Sequence, residues 1–154
     1  MDKEKTIAAL NSLVIINNDR IEGYETAASE TKEQDLKNLF AIFQETSKKC
    51  KEILIAEIYN LKGLPDEGTR ITGKFFRVWM DVKAFLTGND RISILNSCEF
   101  GEEAAQKAYT DVLSESLENI SIEQQFMLNQ QYKLLHADLI EIKSLRDVLV
   151  SEAV

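Results

Sequence analysis

Apolar residues recur every three or four positions in four long segments of this chain, and that repeat leaves few folds open to it. The spacing places them on one side of an α-helix. The segments 3–30, 33–62, 90–117 and 121–151 are each predicted to be helical. Amphipathic helices bury their apolar faces by packing around a common core. Representative stripe residues are Leu10, Val14 and Tyr24; Leu36, Phe40 and Leu54; Leu95, Cys98 and Tyr109; and Leu128, Leu135 and Ile142.

The helix ends carry recognisable signals. Ser121 and Gln124 have the Ser-x-x-Gln spacing of a capping box at the start of the fourth helix. Asn89 or Asp90 is predicted to cap the third helix, and Gly63 to cap the end of the second. These signals support one all-α domain over residues 1–154.

The links between the helices predict the topology. Links at 31–32 and 118–120 are short, so the first two and the last two helices are each predicted to form an antiparallel hairpin. The middle link, 63–89, is long enough to cross the full bundle, and it contains a predicted short helix at 74–86. The second and third helices are therefore predicted to be parallel.

The crossover is rich in aromatic residues, including Phe76 and Trp79. Two interpretations are open. These residues form either a lid that closes the bundle core or part of a dimer contact, since aromatic residues are enriched at protein interfaces.

Composition argues against several classes of function. With 154 residues, one Pro and six Gly, the chain suits a single domain of long helices. Its net charge of −8 repels nucleic acid and anionic lipid alike.

Since no apolar run reaches the roughly 18 residues of a membrane span and the start does not resemble a secretory signal, we expect a cytoplasmic protein. Cys50 and Cys98 are predicted to be buried free thiols.

Polar residues interrupt the apolar stripes near the middle of each helix, and we expect them to share one layer. Glu102 is the clearest, because Cys98, Ala105 and Tyr109 surround it at helical spacing. A buried carboxylate needs a partner such as His136, a tyrosine hydroxyl or a cation. The layer is interpreted either as a hydrogen-bonded network that fixes helix register or as a metal or small-ligand site. The candidate metal ligands are Glu22, Glu99, Glu102 and His136.

An ordered set of motifs spans nearly the whole chain: Leu10-Asn11 through Asn17–Tyr24, Arg77-Val78-Trp79 through Leu86-Thr87-Gly88, Cys98–Ala105, and Leu145-Arg146-Asp147. This set resembles an uncharacterised bacterial family of four-helix bundles, a domain of unknown function placed in the ferritin-like superfamily. The resemblance implies a ferritin-like fold and says little about activity.

Di-iron members of that superfamily use a Glu from each of two helices and Glu-x-x-His from the other two. The resemblance matches Glu22 to the first-helix glutamate, and Glu99 or Glu102 to the third-helix one. It matches Glu45–Lys48 and Lys133–His136 to the two Glu-x-x-His motifs, and in each a lysine replaces one ligand. The complete site is therefore absent, and ferroxidase or oxygenase activity is not expected.

Two hypotheses follow for function. The first is a non-enzymatic bundle, without a cofactor, that acts through protein association as a homo-oligomer or with a protein partner. The second is a degenerate ferritin-like protein that binds iron, manganese or zinc through Glu22, Glu99, Glu102 and His136.

Overall fold

A computed structural model describes residues 1–66 and 90–152 of the chain. Within these ranges the chain forms four long α-helices and contains no strand. The predicted all-α four-helix bundle is confirmed, and each observed end lies within two residues of its predicted position. The helices are α1 Lys3–Glu30, α2 Gln34–Asn60, α3 Arg91–Glu115 and α4 Ile122–Glu152, with a 3-10 turn at Leu117–Asn119 before α4.

Side chains cap the beginnings of three helices. Asp2 accepts hydrogen bonds from the backbone N–H groups of Glu4 and Lys5 at the start of α1, and Asp90 accepts one from the backbone N–H of Ile92 at the start of α3. Before α4, the backbone N–H of Gln124 donates to Ser121 Oγ at 3.0 Å, and the backbone N–H of Ser121 donates to the side-chain oxygen Oε1 of Gln124 at 2.8 Å. This is the predicted capping box.

The end of α2 differs from the prediction that Gly63 caps it. Lys62 adopts the left-handed backbone conformation, with φ 65°, and the Gly63 amide donates to the Ile58 carbonyl at 2.9 Å. Gly63 has a different role. A Cβ atom there would lie 2.8 Å from Ile7 Cδ1, so the glycine permits close packing against α1.

Contacts at the helix ends establish the topology. At the start of α3, Arg91 pairs with Asp35 at 2.9 Å, close to the start of α2. Near the other end, Gln124 of α4 donates to Glu57 of α2 at 3.0 Å. The helices α2 and α3 are therefore parallel, as the long crossover predicted. The crossover helix predicted at 74–86, with Phe76 and Trp79, lies outside the described residues.

The core runs along the bundle axis. Tyr24 of α1 packs against Phe40 and Phe43 of α2, with ring centroids 5.3 Å away in both pairs. Cys50 and Cys98 are buried free thiols, as predicted. Among the described helices, none is both long and apolar enough to cross a membrane. Other fully buried core residues are Leu10, Leu13, Leu36, Leu54, Ile58, Ile94, Leu95, Leu128 and Leu135.

Candidate functional site

A fully buried arginine lies at the centre of the bundle. Arg20 of α1 donates from Nε to Glu102 Oε1 of α3 at 2.8 Å, and its Nη2 lies 2.6 Å from the same oxygen. Nη2 also donates to Asp138 Oδ2 of α4 at 3.0 Å, while Nη1 donates to the hydroxyl of Ser47 in α2. The guanidinium therefore bonds to one side chain from each of the other three helices. We call these four residues the Arg20 cluster.

Tyr24 adds a further hydrogen bond to this cluster. One turn along α1 from Arg20, its hydroxyl donates to Glu102 Oε1 at 2.6 Å. Glu102 is thus held by a cation and by a tyrosine hydroxyl, two of the kinds of partner that its burial required. Its other oxygen, Oε2, has no hydrogen-bond partner within the described ranges.

The electrostatics of the cluster keep Arg20 charged. Burial lowers the pKa of the guanidinium, but the negative charges of Glu102 and Asp138 outweigh this effect, so the net pKa is raised. Burial also raises the pKa of Asp138 to about 6, although Arg20 opposes this change. For Tyr24, burial and then the charge of Glu102 raise the pKa, so the hydroxyl stays protonated as a donor.

A second hydrogen-bonded group lies nearby in the core. The Asn17 amide donates to the hydroxyl of Tyr109 at 2.9 Å, and that hydroxyl donates to Gln131 Oε1 at 2.6 Å. Gln131 donates in turn to the backbone carbonyl of Cys50 at 3.1 Å. This chain of bonds also joins all four helices, and it supports the interpretation of the mid-helix polar residues as a network that fixes helix register.

The structure gives the four predicted metal ligands different surroundings. Glu102 belongs to the Arg20 cluster, whereas Glu99 is ion-paired with Arg146 of α4. His136 is exposed, and its Nδ1 lies 3.2 Å from Gln106 Oε1. Glu22 lies half-buried on α1. In the part of the chain that is described, no three His, Cys, Asp or Glu side chains form a group suited to a metal ion.

The two segments compared with Glu-x-x-His motifs lie on the outside of the bundle. Lys48 is exposed and pairs with Glu45 at 3.1 Å on the surface of α2, and Lys133 and His136 are both exposed on α4. The i, i+3 pairs that face inward are instead Ser47 and Cys50 on α2, and Leu135 and Asp138 on α4. The residues matched to the two motifs therefore lie on a different helix face from these inward pairs.

The inward positions do not suit a di-iron site. Such a site needs carboxylates and histidines projecting together into the bundle. Here a hydroxyl, a thiol and a leucine occupy three of the four inward positions on α2 and α4. The Arg20 guanidinium lies on the carboxylate of Glu102 and would repel a metal cation, so the residues present do not fit the di-iron group of the superfamily.

Arg20 was missed from the sequence because a charged residue in a long helix is normally solvated. The spacing nevertheless contained a signal. Asn17 and Arg20 continue the three- and four-residue steps that join Leu13 to Tyr24, so both fall on the buried stripe. Glu22, which the metal hypothesis used, is two residues beyond Arg20 and is rotated by roughly 200° around the helix.

Asp19, also on α1, is a second unusual carboxylate. It is only 1% exposed, and neither of its oxygens has a hydrogen-bond partner among the described residues. Burial, and then the charge of Glu22, raise its pKa to about 7. Asp19 therefore binds a proton near neutral pH and destabilises the fold when it is ionised.

An open groove of about 720 Å³ follows the seam between α1 and α3. Its lining combines small and apolar side chains with charged ones. No member of the Arg20 cluster lines it. The lining residues include Ala8, Ser12, Ile16, Ala108 and Val112, and the charged residues Lys5, Asp111, Glu115 and Glu118.

Comparisons with known proteins agree with this architecture. Residues 5–115 match the family described as Domain of unknown function (DUF2383). Among solved structures, the chain is similar to a dodecameric thioferritin, the bacterioferritin-related protein from Bacteroides fragilis, with TM-score 0.67 and 19% identity. That match covers 99% of this chain and 89% of the other. No curated protein matches the sequence. The ferritin-like fold is thereby confirmed.

Proposed function

Because the chain belongs to the DUF2383 family, a domain of unknown function, we propose its role from its own residues: a non-enzymatic ferritin-like bundle that acts by associating with further copies of itself. The observation that carries this proposal is the distribution of charge and apolar surface. The bundle centre is filled by an internal ion pair, whereas large apolar side chains are exposed along α2 and α4. Exposed apolar faces of this kind favour association.

Assembly in a similar fold supports the proposal. The Bacteroides fragilis protein is described as dodecameric. In this chain α2 exposes Ile42 and Ile53, and α4 exposes Phe126 and Val148, so both helices offer apolar surface to a neighbouring copy. Closed homo-oligomers are the commonest assemblies of soluble proteins.

The core chemistry supports a structural role for the Arg20 cluster. Its cation and its carboxylates are bonded to one another, and the tyrosine hydroxyl beside them is used as a donor to Glu102. No described member of this cluster has the pairing of nucleophile and base that acid–base or covalent catalysis requires. In this bundle a guanidinium links side chains from all four helices, as metal ions do in di-iron bundles.

Sedimentation velocity on the untagged chain tests the proposal. We expect an oligomer whose population grows with concentration and is unchanged by chelator. A chain that remains monomeric up to about 100 µM would overturn the proposal, since association follows mass action.

Thermal melting with added iron, manganese or zinc tests the metal-binding alternative. A metal that binds only the native state raises the melting temperature. We expect no increase, and an increase that the variant Glu102→Ala, His136→Ala abolishes would favour the metal-binding function instead.

A further inference from the structure

The outer face of α4 carries an unusual row of exposed side chains. Phe126 is 67% exposed, Ile140 48% and Val148 54%. They are accompanied on the same side of the helix by Lys133, Ala137, Glu141 and Ser144, all of them exposed. Phe126 and Val148 are separated along the helix by roughly 33 Å at 1.5 Å per residue. We call this row the α4 face.

We propose that the α4 face is a subunit contact at which two copies of this chain pair their α4 helices antiparallel, about a twofold axis at Ala137. This inference rests on the proposed function and specifies the surface that it uses. A twofold contact is isologous, so the same patch must be complementary to itself. The α4 face meets that requirement in its charges, its apolar residues and its smallest residue.

The charges of the α4 face are complementary only in the antiparallel arrangement. Lys133 and Glu141 are equally distant from Ala137 on opposite sides, so an axis at Ala137 places each opposite the other, twice per dimer. A parallel arrangement in register would place lysine opposite lysine and glutamate opposite glutamate. Like charges that face each other disfavour a complex, so the charge pattern selects one orientation.

The apolar residues follow the same symmetry. Phe126 and Val148 are equally distant from Ala137, so the axis pairs the exposed phenyl ring of one copy with the valine of the other. Leu134 and Ile140 are related in the same way, and both are exposed. These pairs would bury apolar surface at both ends and near the centre of the contact.

Ala137 suits the position on the axis. Each copy presents this residue to its own counterpart there, and helix axes approach to about 8 Å only where the contacting side chains are small. A bulky residue at this point would separate the helices and weaken all the pairs beside it.

Disulfide trapping tests the proposed axis. A residue on a twofold axis faces its own copy, so the variant A137C should form a covalent dimer under mild oxidation, because bridged Cα atoms lie about 4.4–6.8 Å apart. The matched control is S144C on the same face, which the axis places opposite Gln130 and not opposite itself. The native thiols of Cys50 and Cys98 are buried and will not compete. Equal cross-linking of A137C and S144C would overturn the inference.

Charge reversal provides the second test, on the full-length chain. K133E or E141K alone places like charges opposite each other twice per dimer, and we expect each to weaken dimerisation by about tenfold. The double variant K133E/E141K restores both pairs and should return the affinity to near the original. Single variants that weaken dimerisation without rescue in the double variant would refute self-pairing.

Controls separate this inference from the proposed function. Phe100 on α3 is 65% exposed, and F100S should leave dimerisation unchanged while F126S weakens it. Glu141 lies one turn from Asp138, so the melting temperature of each variant verifies folding. An oligomeric wild type that none of the α4 variants alters would overturn the α4 contact alone, whereas a monomeric wild type would overturn both proposals.

Discussion

Replacing Arg20 by methionine removes the guanidinium from the bundle core and leaves two carboxylates behind. Glu102 is fully buried and would keep only the hydrogen bond from Tyr24, whereas Asp138 is partly exposed and can regain water. Removing one partner of a buried ion pair costs about 3–5 kcal/mol, because the other charge stays buried without compensation. With a urea m-value of about 2 kcal/mol/M, the midpoint should fall by about 2 M.

A double-mutant cycle isolates the ion pair from these other effects. Glu102→Gln removes the charge and keeps an oxygen that accepts from Tyr24, so we expect a cost of about 2–4 kcal/mol. In R20M/E102Q no charge of the pair remains, and the loss should be smaller than the sum of the single losses by about 2 kcal/mol. The matched variant R20K keeps the charge but not the planar fork, and should be intermediate.

Urea denaturation followed by circular dichroism measures all four variants at one pH. Two results would refute the reasoning. One is an R20M midpoint that implies a loss below about 1 kcal/mol, and the other is additivity within about 0.5 kcal/mol. Either would mean that the Arg20–Glu102 contact contributes little to the stability of the bundle.

Three further predictions concern single positions. Between pH 3.8 and about 7, folded Asp19 keeps a proton that the unfolded chain releases, so the stability of the fold should decrease as the pH rises through this window. Asp19→Asn should therefore stabilise the protein by about 1–3 kcal/mol at pH 8 and by less at pH 4, as measured by urea midpoints. An equal gain at both pH values would contradict the prediction. Ser121→Ala removes the acceptor for the backbone N–H of Gln124 and should lower the free energy of unfolding by about 0.5–2 kcal/mol. An unchanged urea midpoint would show that this cap contributes nothing to stability. Burial raises the pKa of both Cys50 and Cys98, so a thiol reagent should label the native protein about 100-fold more slowly than the urea-unfolded chain; comparable rates would contradict their burial.

The helices and their order could be predicted because both depend on local signals. The three- and four-residue spacing of apolar residues identifies the buried stripe, and the capping box at Ser121 fixes the start of α4. The burial of Glu102 was predictable for the same reason, since its neighbours at helical spacing are apolar. The link lengths then left only the parallel arrangement of α2 and α3.

The partner of Glu102 was harder to predict, because it depends on the phase of a different helix. An error of two residues along α1 rotates the chosen side chain to the other side, and this separates Glu22 from Arg20. The same error on α4 separates His136 from Asp138. Periodicity assigns a stripe from its apolar members, so polar residues within the stripe are assigned last and least accurately. The roles predicted for Phe76 and Trp79 stay predictions.

The position of Arg20 also has a kinetic consequence. Arg20 belongs to the α1–α2 hairpin, whereas Glu102 and Asp138 belong to the α3–α4 hairpin, and Arg20 and Glu102 are 82 residues apart in sequence. Each hairpin assembles from neighbours in the chain, so we expect it to form before the contact between hairpins closes the long loop. Three charged groups then lose their water in one docking step. We expect this step to limit the folding rate. In the folded protein, water must reach the charged groups again before the two hairpins can separate, so we expect the ion pair to slow unfolding.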